Sequence, residues 1–356
     1  MNINPKFDKD LLGLTPDKAH AHLNQLKAEM QKDKEAKGLF KIRTGNEWLD
    51  EAKKTPMPQM LFDEFWHENE LCILFADTNL GKSILAIQIA DSISKGQPIQ
   101  GFKLDAPKQP VLYFDFELSA KQFEVRYAIK NATKKAFEKH YNFDDNFKRV
   151  EINPDAEIPE KISFEKYLNS SLEACIKETN TKILIIDNIT YLKTQTEKAK
   201  DALPLMKHLK ALKSKYNLSL LIIAHTPKRD LFKPISKNDL QGSKMLINFI
   251  DSCFAIGESH KDSNLRYLKQ IKMRNTAPKY DTGNVAVCQI QKPLNFLQFD
   301  FIGFDTERKH LKEPTEKDKT ATIEKVKELI GKGHTQRSIA KELNIGASTV
   351  NKYSKM

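Results

Sequence analysis

The chain has 356 residues, 40% of them hydrophobic and 29% charged, a balance that excludes a disordered polymer. No apolar run approaches the length of a membrane span, and the N-terminus lacks the apolar core of a signal peptide, so the expectation is a cytoplasmic protein with no membrane contact. Fifty-eight basic against 47 acidic side chains give a formal charge of +11, which suits a polyanionic partner but speaks to association rather than fold. Cys72, Cys175, Cys253 and Cys288 are far apart, without metal-ligand spacing, and read as reduced, mostly buried thiols.

Residues 1–45 are polar and charged. Leu23, Leu26 and Met30 fall at helical spacing there, so this segment reads as an accessory helix concerned with packing rather than chemistry. From Leu71 onward, apolar strands alternate with amphipathic helices. "LCILFA" is a strand, "KSILAIQIADSISKG" a helix ended by Gly96, and "PVLYFDFE" the next strand, with a helix from about Ser119. "TKILIIDN", "LSLLIIAH" and "FIDSCFAIG" are further apolar runs. Runs apolar on both faces and joined by helices indicate a mostly parallel sheet covered on both sides. After Leu265, "LRYLKQIKMRN", "GNVAVCQIQ" and "LNFLQFDFIGF" read as antiparallel strands extending it. The expected organisation is an α/β core over 46–304, a charged linker over 305–320, and a small all-α unit over 321–356.

The junction between the first strand and helix carries the chemistry. Ala76, Asp77, Thr78, Asn79, Leu80, Gly81, Lys82, Ser83 and Ile84 match the phosphate-binding loop pattern, except that Ala76 stands where the pattern has glycine. Backbone amides at a helix start can surround phosphate oxygens. Lys82 can reach the β- and γ-phosphates of ATP, and Ser83 can ligate Mg²⁺. Asn79 tolerates unusual backbone angles. Asp187, ending a hydrophobic strand, suits the metal shell beside Ser83. Asp115 and Glu117 both end a strand and can orient an attacking water. Glu117 lies nearer the strand's C-terminal end, where ligands collect in such sheets, and is preferred as the base.

The order of these motifs over about residues 50–305 resembles RecA-like ATPases, most closely the RepA-type replicative helicase branch. The resemblance implies a RecA-like P-loop core, with Glu117 as the glutamate that activates water and His225 as the residue sensing the γ-phosphate. Gly242-Ser243 match a later signature of that family. The resemblance also implies basic fingers supplied to a neighbouring subunit, carried here by Lys272 and Arg274, with Lys269 doubtful. A homo-oligomer follows, of which a hexameric ring as in related helicases is one form, with single-stranded DNA along the loops that follow the strands ending in Asp187 and His225. In the second loop, Lys228, Arg229, Lys233 and Lys237 suit phosphate contacts without base reading. Phe232 suits either base stacking or loop anchoring.

In the last 36 residues, Ile323, Val326, Leu329 and Ile330 share a helical face, and Thr335 can cap a second helix with Ile339, Ala340 and Leu343 inward. Val350 and Tyr353 point inward from a third. "TQRSIAKELNIGASTVNKY" resembles the helix-turn-helix of resolvase and invertase proteins, which implies duplex DNA as partner. The resemblance implies base or phosphate contacts from Ser348, Thr349, Asn351 and Lys352, and backbone contacts from Gln336 and Arg337. The expected function is a DNA-dependent ATPase, a ring-forming helicase or related factor serving a plasmid or mobile element. The alternative is an ATP-switched DNA-binding regulator or recombination accessory protein that does not unwind.

Overall fold

The computed structural model describes residues 40–131, 133, 136–188, 202–226, 229–240, 243–313, 316–343 and 345–356. The accessory helix expected around Leu23–Met30 lies outside them. The chain divides into two compact units, Met1–Met57 and Pro58–Met356. In the first, helix α1 (Gly45–Ala52) begins with a capping box. The Thr44 hydroxyl accepts from the Glu47 amide, and the Glu47 carboxylate accepts from the Thr44 amide.

The second unit opens with an antiparallel ribbon of β1 (Met60–Phe62) and β2 (Trp66–His67). There follow β3 (Leu71–Ala76), α2 (Lys82–Lys95), β4 (Val111–Asp115), α3 (Ala120–Tyr127), β5 (Ile129–Lys130), β6 (Phe137–Glu138) and β7 (Phe147–Val150). Next come α4 (Phe164–Thr179), β8 (Ile183–Asp187), α5 (Ala202–Tyr216), β9 (Ser219–His225), α6 (Ser243–Phe249) and β10 (Ser252–Glu258). The last strands are β11 (Leu265–Lys272), β12 (Val285–Gln291) and β13 (Gln298–Asp305). Nine of these strands form one sheet in the order β13-β12-β11-β10-β3-β9-β8-β4-β7. From β10 to β7 the pairing is parallel, and β11 to β13 extend the sheet antiparallel.

Strand alternation divides the core between the two faces of the sheet. Cys72 and Leu74 of β3 pack with Leu85, Ile89 and Ile93 of α2, whereas Leu71, Ile73 and Phe75 pack with Leu205, Leu209 and Leu212 of α5. Burial on both faces is why β3, β8 and β9 read as continuous apolar runs. Cys72, Cys253 and Cys288 are buried free thiols, and burial raises the pKa of each.

Two expectations need correction. The charged stretch 305–320 is not a free tether. Residues Glu307–His310 form a 3-10 turn, and both Glu307 and His310 are buried. The helical segment α7 then starts at Glu316 and runs to Gly331. Charge made the stretch look solvated, but Glu307 and His310 are internal because each has polar partners there. Second, Ile330 is exposed, while Val326 and Leu329 are buried. These two pack with Ile339 of α8 (Gln336–Glu342) and Val350 of α9 (Ala347–Ser354), joined by Ala340, Leu343, Ile345 and Tyr353. The Thr335 hydroxyl caps α8 by accepting from the Ser338 amide at 3.2 Å.

Candidate nucleotide site

The site lies at the C-terminal edge of β3, β4, β8 and β9, where parallel strands hand over to loops. Ala76 ends β3 opposite His225, and its carbonyl accepts both the Thr226 amide (3.2 Å) and Lys82 Nζ (3.0 Å). Lys82 Nζ also donates to the Asp77 carbonyl at 2.9 Å. Asn79 (φ 64°) and Gly81 (φ 95°) take left-handed backbone conformations that curl the loop. A Cβ at Gly81 would meet the Phe299 ring at 2.9 Å, so glycine is required there twice over. Ala76 replaces glycine inside the strand, where its methyl is buried in the core. Thr78 and Asn79 are exposed, while Leu80 and Ile84 pack inward. Burial lowers the pKa of Lys82, opposed by the charges of Asp187, Glu117 and Asp77, and burial raises that of Asp77.

Asp187 closes β8 beside Asp115 of β4 and is almost fully buried. Burial pushes its carboxyl up to about 6, against hydrogen bonds from Ser83 and Tyr113. The Tyr113 phenol donates to Asp187 Oδ2 at 2.7 Å. Ser83 and Asp187 thus present a hydroxyl and a carboxylate together. That hard-oxygen pair fits Mg²⁺, which takes one or two protein carboxylates plus phosphate and water. Among the described residues no group of three or more His, Cys, Asp or Glu converges as a dedicated metal cage.

Asp115 and Glu117 turn out to have different surroundings. Asp115 is buried, with Oδ1 accepting the Glu117 and Leu118 amides (3.1 and 2.9 Å) and Oδ2 accepting Arg149 Nε (2.8 Å). It shapes the turn that presents Glu117, whose side chain is accessible in the pocket. Glu117 Oε1 accepts from Asn188 Nδ2 and lies 3.6 Å from His225 Nε2. The His225 hydrogen bond, ahead of the opposing effect of burial, holds the Glu117 carboxyl below its usual range.

The remaining candidates lie elsewhere. Lys272 Nζ donates to the carbonyls of Ile247 (2.6 Å) and Ile250 (2.8 Å), and Arg274 Nη1 pairs with Asp251 Oδ1 at 2.9 Å. Asp251 in turn accepts the Leu71 amide at the start of β3, so this pair sits at the opposite end of the sheet from its own phosphate loop. Lys269 is a buried partner of Glu307. Arg229 reaches the Lys233 carbonyl at 3.4 Å, and its charge partly opposes the burial that raises the Asp77 pKa. Lys233 lies 3.5 Å from Asp230, and Lys237 is exposed in a 3-10 turn. Phe232 lies under the Lys312 ammonium, 5.1 Å from ring centre to Nζ. Lys228 and Gly242 fall outside the described residues, as does the side chain of Ser243. On the C-terminal helices, Gln336, Arg337, Ser348, Asn351 and Lys352 are exposed and Thr349 is half-buried.

Three residues that line or support the pocket escaped the sequence reading: Tyr113, Asn188 and Arg126. Asn188 directly follows Asp187 and could have been flagged by position. Tyr113 and Arg126 carry no local signal, because strand pairing and helix placement bring them in.

Among solved structures, a KaiC-like protein from the hyperthermophilic archaeon Pyrococcus horikoshii is similar at 13% identity and a TM-score of 0.44, over 66% of this chain and 90% of that one. No curated protein matches the sequence. The model of the AAA domain family matches residues 40–230, more than half of the chain. The chain belongs to that family, as a nucleotide-binding P-loop ATPase with a RecA-like α/β core and a small C-terminal helical bundle.

Proposed function

We propose that the chain is a DNA-dependent ATPase that hydrolyses ATP to ADP and phosphate. It acts as a ring-forming helicase, or a helicase-like factor, in replication or mobilisation of a plasmid or mobile element. The observation that carries the reading is the meeting of Lys82, Ser83, Asp187, Glu117 and His225 at one sheet edge, with a basic loop leaving directly from His225. Lys82 binds the β- and γ-phosphates, Ser83 and Asp187 hold Mg²⁺, and Glu117 accepts the proton of the attacking water. Bound Mg²⁺ supplies positive charge to the phosphate oxygens. His225 senses the γ-phosphate and passes its state to the loop that follows.

Arg229, Lys233 and Lys237, with Lys228, take the phosphates of single-stranded DNA. The exposed polar residues of α8 and α9 take duplex DNA: Gln336, Arg337, Ser348, Asn351 and Lys352, with Thr349 at the edge. The RepA-type resemblance of the core and the resolvase-type resemblance of the C-terminal helices support both assignments. Lys272 and Arg274 cannot serve their own site from the far end of the sheet, which suits a role at a neighbour's γ-phosphate in a homo-oligomer; a hexameric ring is what the RepA-type resemblance implies.

A forked duplex with one labelled strand tests the proposal. DNA-stimulated hydrolysis with strand release is expected. Stimulation without release would favour an ATP-switched DNA-binding regulator, and hydrolysis indifferent to DNA would overturn the proposal.

A further inference from the structure

Tyr113 stands in the middle of β4 and is fully buried. It lies opposite Ile185 of β8, and Asp115 lies opposite Asp187. Strand alternation therefore puts Tyr113 and Asp187 on one face of the sheet, one pair apart on neighbouring strands. A tyrosine is long enough to span such a diagonal. Its phenol donates to Asp187 Oδ2 at 2.7 Å.

Packing alone does not ask for a tyrosine here. The ring joins the core between the sheet and α2, with Leu85, Ile89 and Ile185, and its centre lies 6.1 Å from that of Phe147. Phenylalanine would fill the same space without a hydroxyl to satisfy, and a buried hydroxyl is unfavourable unless it is hydrogen-bonded. Asp115, beside Asp187 in the sheet, is a second acid within the same pair of strands. Its oxygens are already engaged, Oδ1 by the Glu117 and Leu118 amides and Oδ2 by Arg149 Nε. The phenol thus acts on one acid, the one that also meets the Ser83 hydroxyl.

The torsion that sets the plane of an aspartate carboxylate is soft. Mg²⁺ demands near-ideal octahedral geometry, so it is sensitive to how a ligating carboxylate is turned. Groups hydrogen-bonded behind a ligand supply that orientation. We propose that Tyr113 is a positioning residue for the metal ion of the nucleotide: its phenol holds Asp187 Oδ2 and leaves the other carboxylate oxygen for the Mg²⁺ shell beside Ser83. Tyr113 acts through Asp187, touches no nucleotide and transfers no proton. This assignment rests on the ATPase reading of the site.

Titration of the full chain with a fluorescent ADP analogue, in Mg²⁺ and in EDTA, tests it. Tyr113→Phe removes one oxygen atom and keeps the ring that packs in the core. Its affinity in EDTA is expected to equal that of the unaltered chain, while the Mg²⁺ concentration giving half of the metal-dependent gain rises by about tenfold or more, the usual worth of a group that orients a metal ligand. In an Asp187→Asn background, adding Tyr113→Phe is expected to change the Mg²⁺ dependence no further, because the hydroxyl acts through that carboxylate. An unchanged Mg²⁺ dependence in Tyr113→Phe, with Lys82→Ala and Asp187→Asn impaired, would overturn the proposal and leave the site reading intact. Equal losses in Mg²⁺ and in EDTA would make Tyr113 a support of the phosphate loop and overturn it too, as would a further loss in the double variant. A lowered melting temperature with unchanged Mg²⁺ dependence would assign the hydroxyl to stability alone. Failure of the unaltered chain to bind the analogue in either condition would overturn the ATPase reading and the proposal together.

Discussion

Lys269 and Glu307 form an ion pair with almost no exposure on either side chain, 8% and 0% respectively. Together they grip both backbone polar groups of Ile235. Lys269 Nζ donates to the Ile235 carbonyl at 2.8 Å, and Glu307 Oε1 accepts the Ile235 amide at 2.6 Å. Tyr267 adds a third donor to Glu307 at 3.2 Å. The loop that leaves His225 at the end of β9 is thereby fastened to β11 and to the turn after β13. Removing one partner strands the other charge in the interior, so Lys269→Met is expected to cost about 3–5 kcal/mol of stability. Adding Glu307→Gln removes the stranded charge and is expected to return a large part of that loss. Urea denaturation of both variants checks this. A single substitution costing under about 1 kcal/mol would mean that the pair is solvated in solution, as surface pairs are.

Glu117→Gln keeps shape and hydrogen bonding but removes the proton acceptor. Nucleotide binding is expected to persist while hydrolysis falls by about 10²–10⁴-fold, the usual worth of a positioned base. Asp115→Ala gives the contrasting result. It frees Arg149 and the Glu117 and Leu118 amides, so lowered thermal stability is its primary effect. Single-turnover hydrolysis and thermal melts on both variants separate the two roles. Retained single-turnover hydrolysis in Glu117→Gln would remove Glu117 from the chemistry.

The phosphate loop was legible because its signal is local: a buried strand, a loop with Gly81-Lys82-Ser83, and an amphipathic helix follow one another directly. Asp187 and Glu117 were legible as acids at strand ends. Asn188 and Tyr113 were not, because their meaning comes from β8 lying between β9 and β4, with Asp115 opposite Asp187. No spacing along the chain encodes that adjacency. Composition also misled at 305–320. A high density of Asp, Glu, Lys, Arg and His suggests solvent, yet Glu307 and His310 are internal because Lys269, Tyr267 and Ser259 meet their polar atoms. The α1 helix was visible in principle in Thr44 followed three residues later by Glu47.

His310 gives the fold a pH dependence with a definite sign. Its Nδ1 lies 2.8 Å from Ser259 Oγ, and its ring stacks obliquely near Tyr267. Burial lowers its pKa; Lys261 and Lys309 push the same way, and Asp305 opposes them. The unfolded chain therefore takes up a proton at His310 before the folded one does. The stabilising contribution is complete above the unfolded value of about 6.5 and falls as pH drops through the folded value. Thermal midpoints at pH 7.5 and pH 5 are expected to differ less in His310→Asn than in the unaltered chain. An equal or larger difference in the variant would assign the acid sensitivity to other groups.

The far-edge placement of Arg274 makes the subunit-crossing assignment testable by mixing. Arg274 is held by Asp251 beside the first residue of β3, while Lys82 follows the last residue of that strand. No rotamer brings Arg274 to its own phosphate loop across the length of β3. Arg274→Ala protein is thus expected to bind ATP normally, since its loop is intact, and to hydrolyse it slowly. The Glu117→Gln protein has intact Arg274 and Lys272 but no base. In a mixed assembly, some junctions pair the intact Glu117 of one chain with the intact Arg274 of the other. Basic groups at a transferring phosphoryl group offset charge in the transition state and are worth about 10³–10⁵ in rate where measured, so even a minority of such junctions is detectable. ATPase activity is expected to rise above both pure proteins at intermediate ratios and to increase with total protein concentration. Co-assembly demonstrated by sedimentation, with no recovery at any ratio, would leave Arg274 as a partner of Asp251 and nothing more.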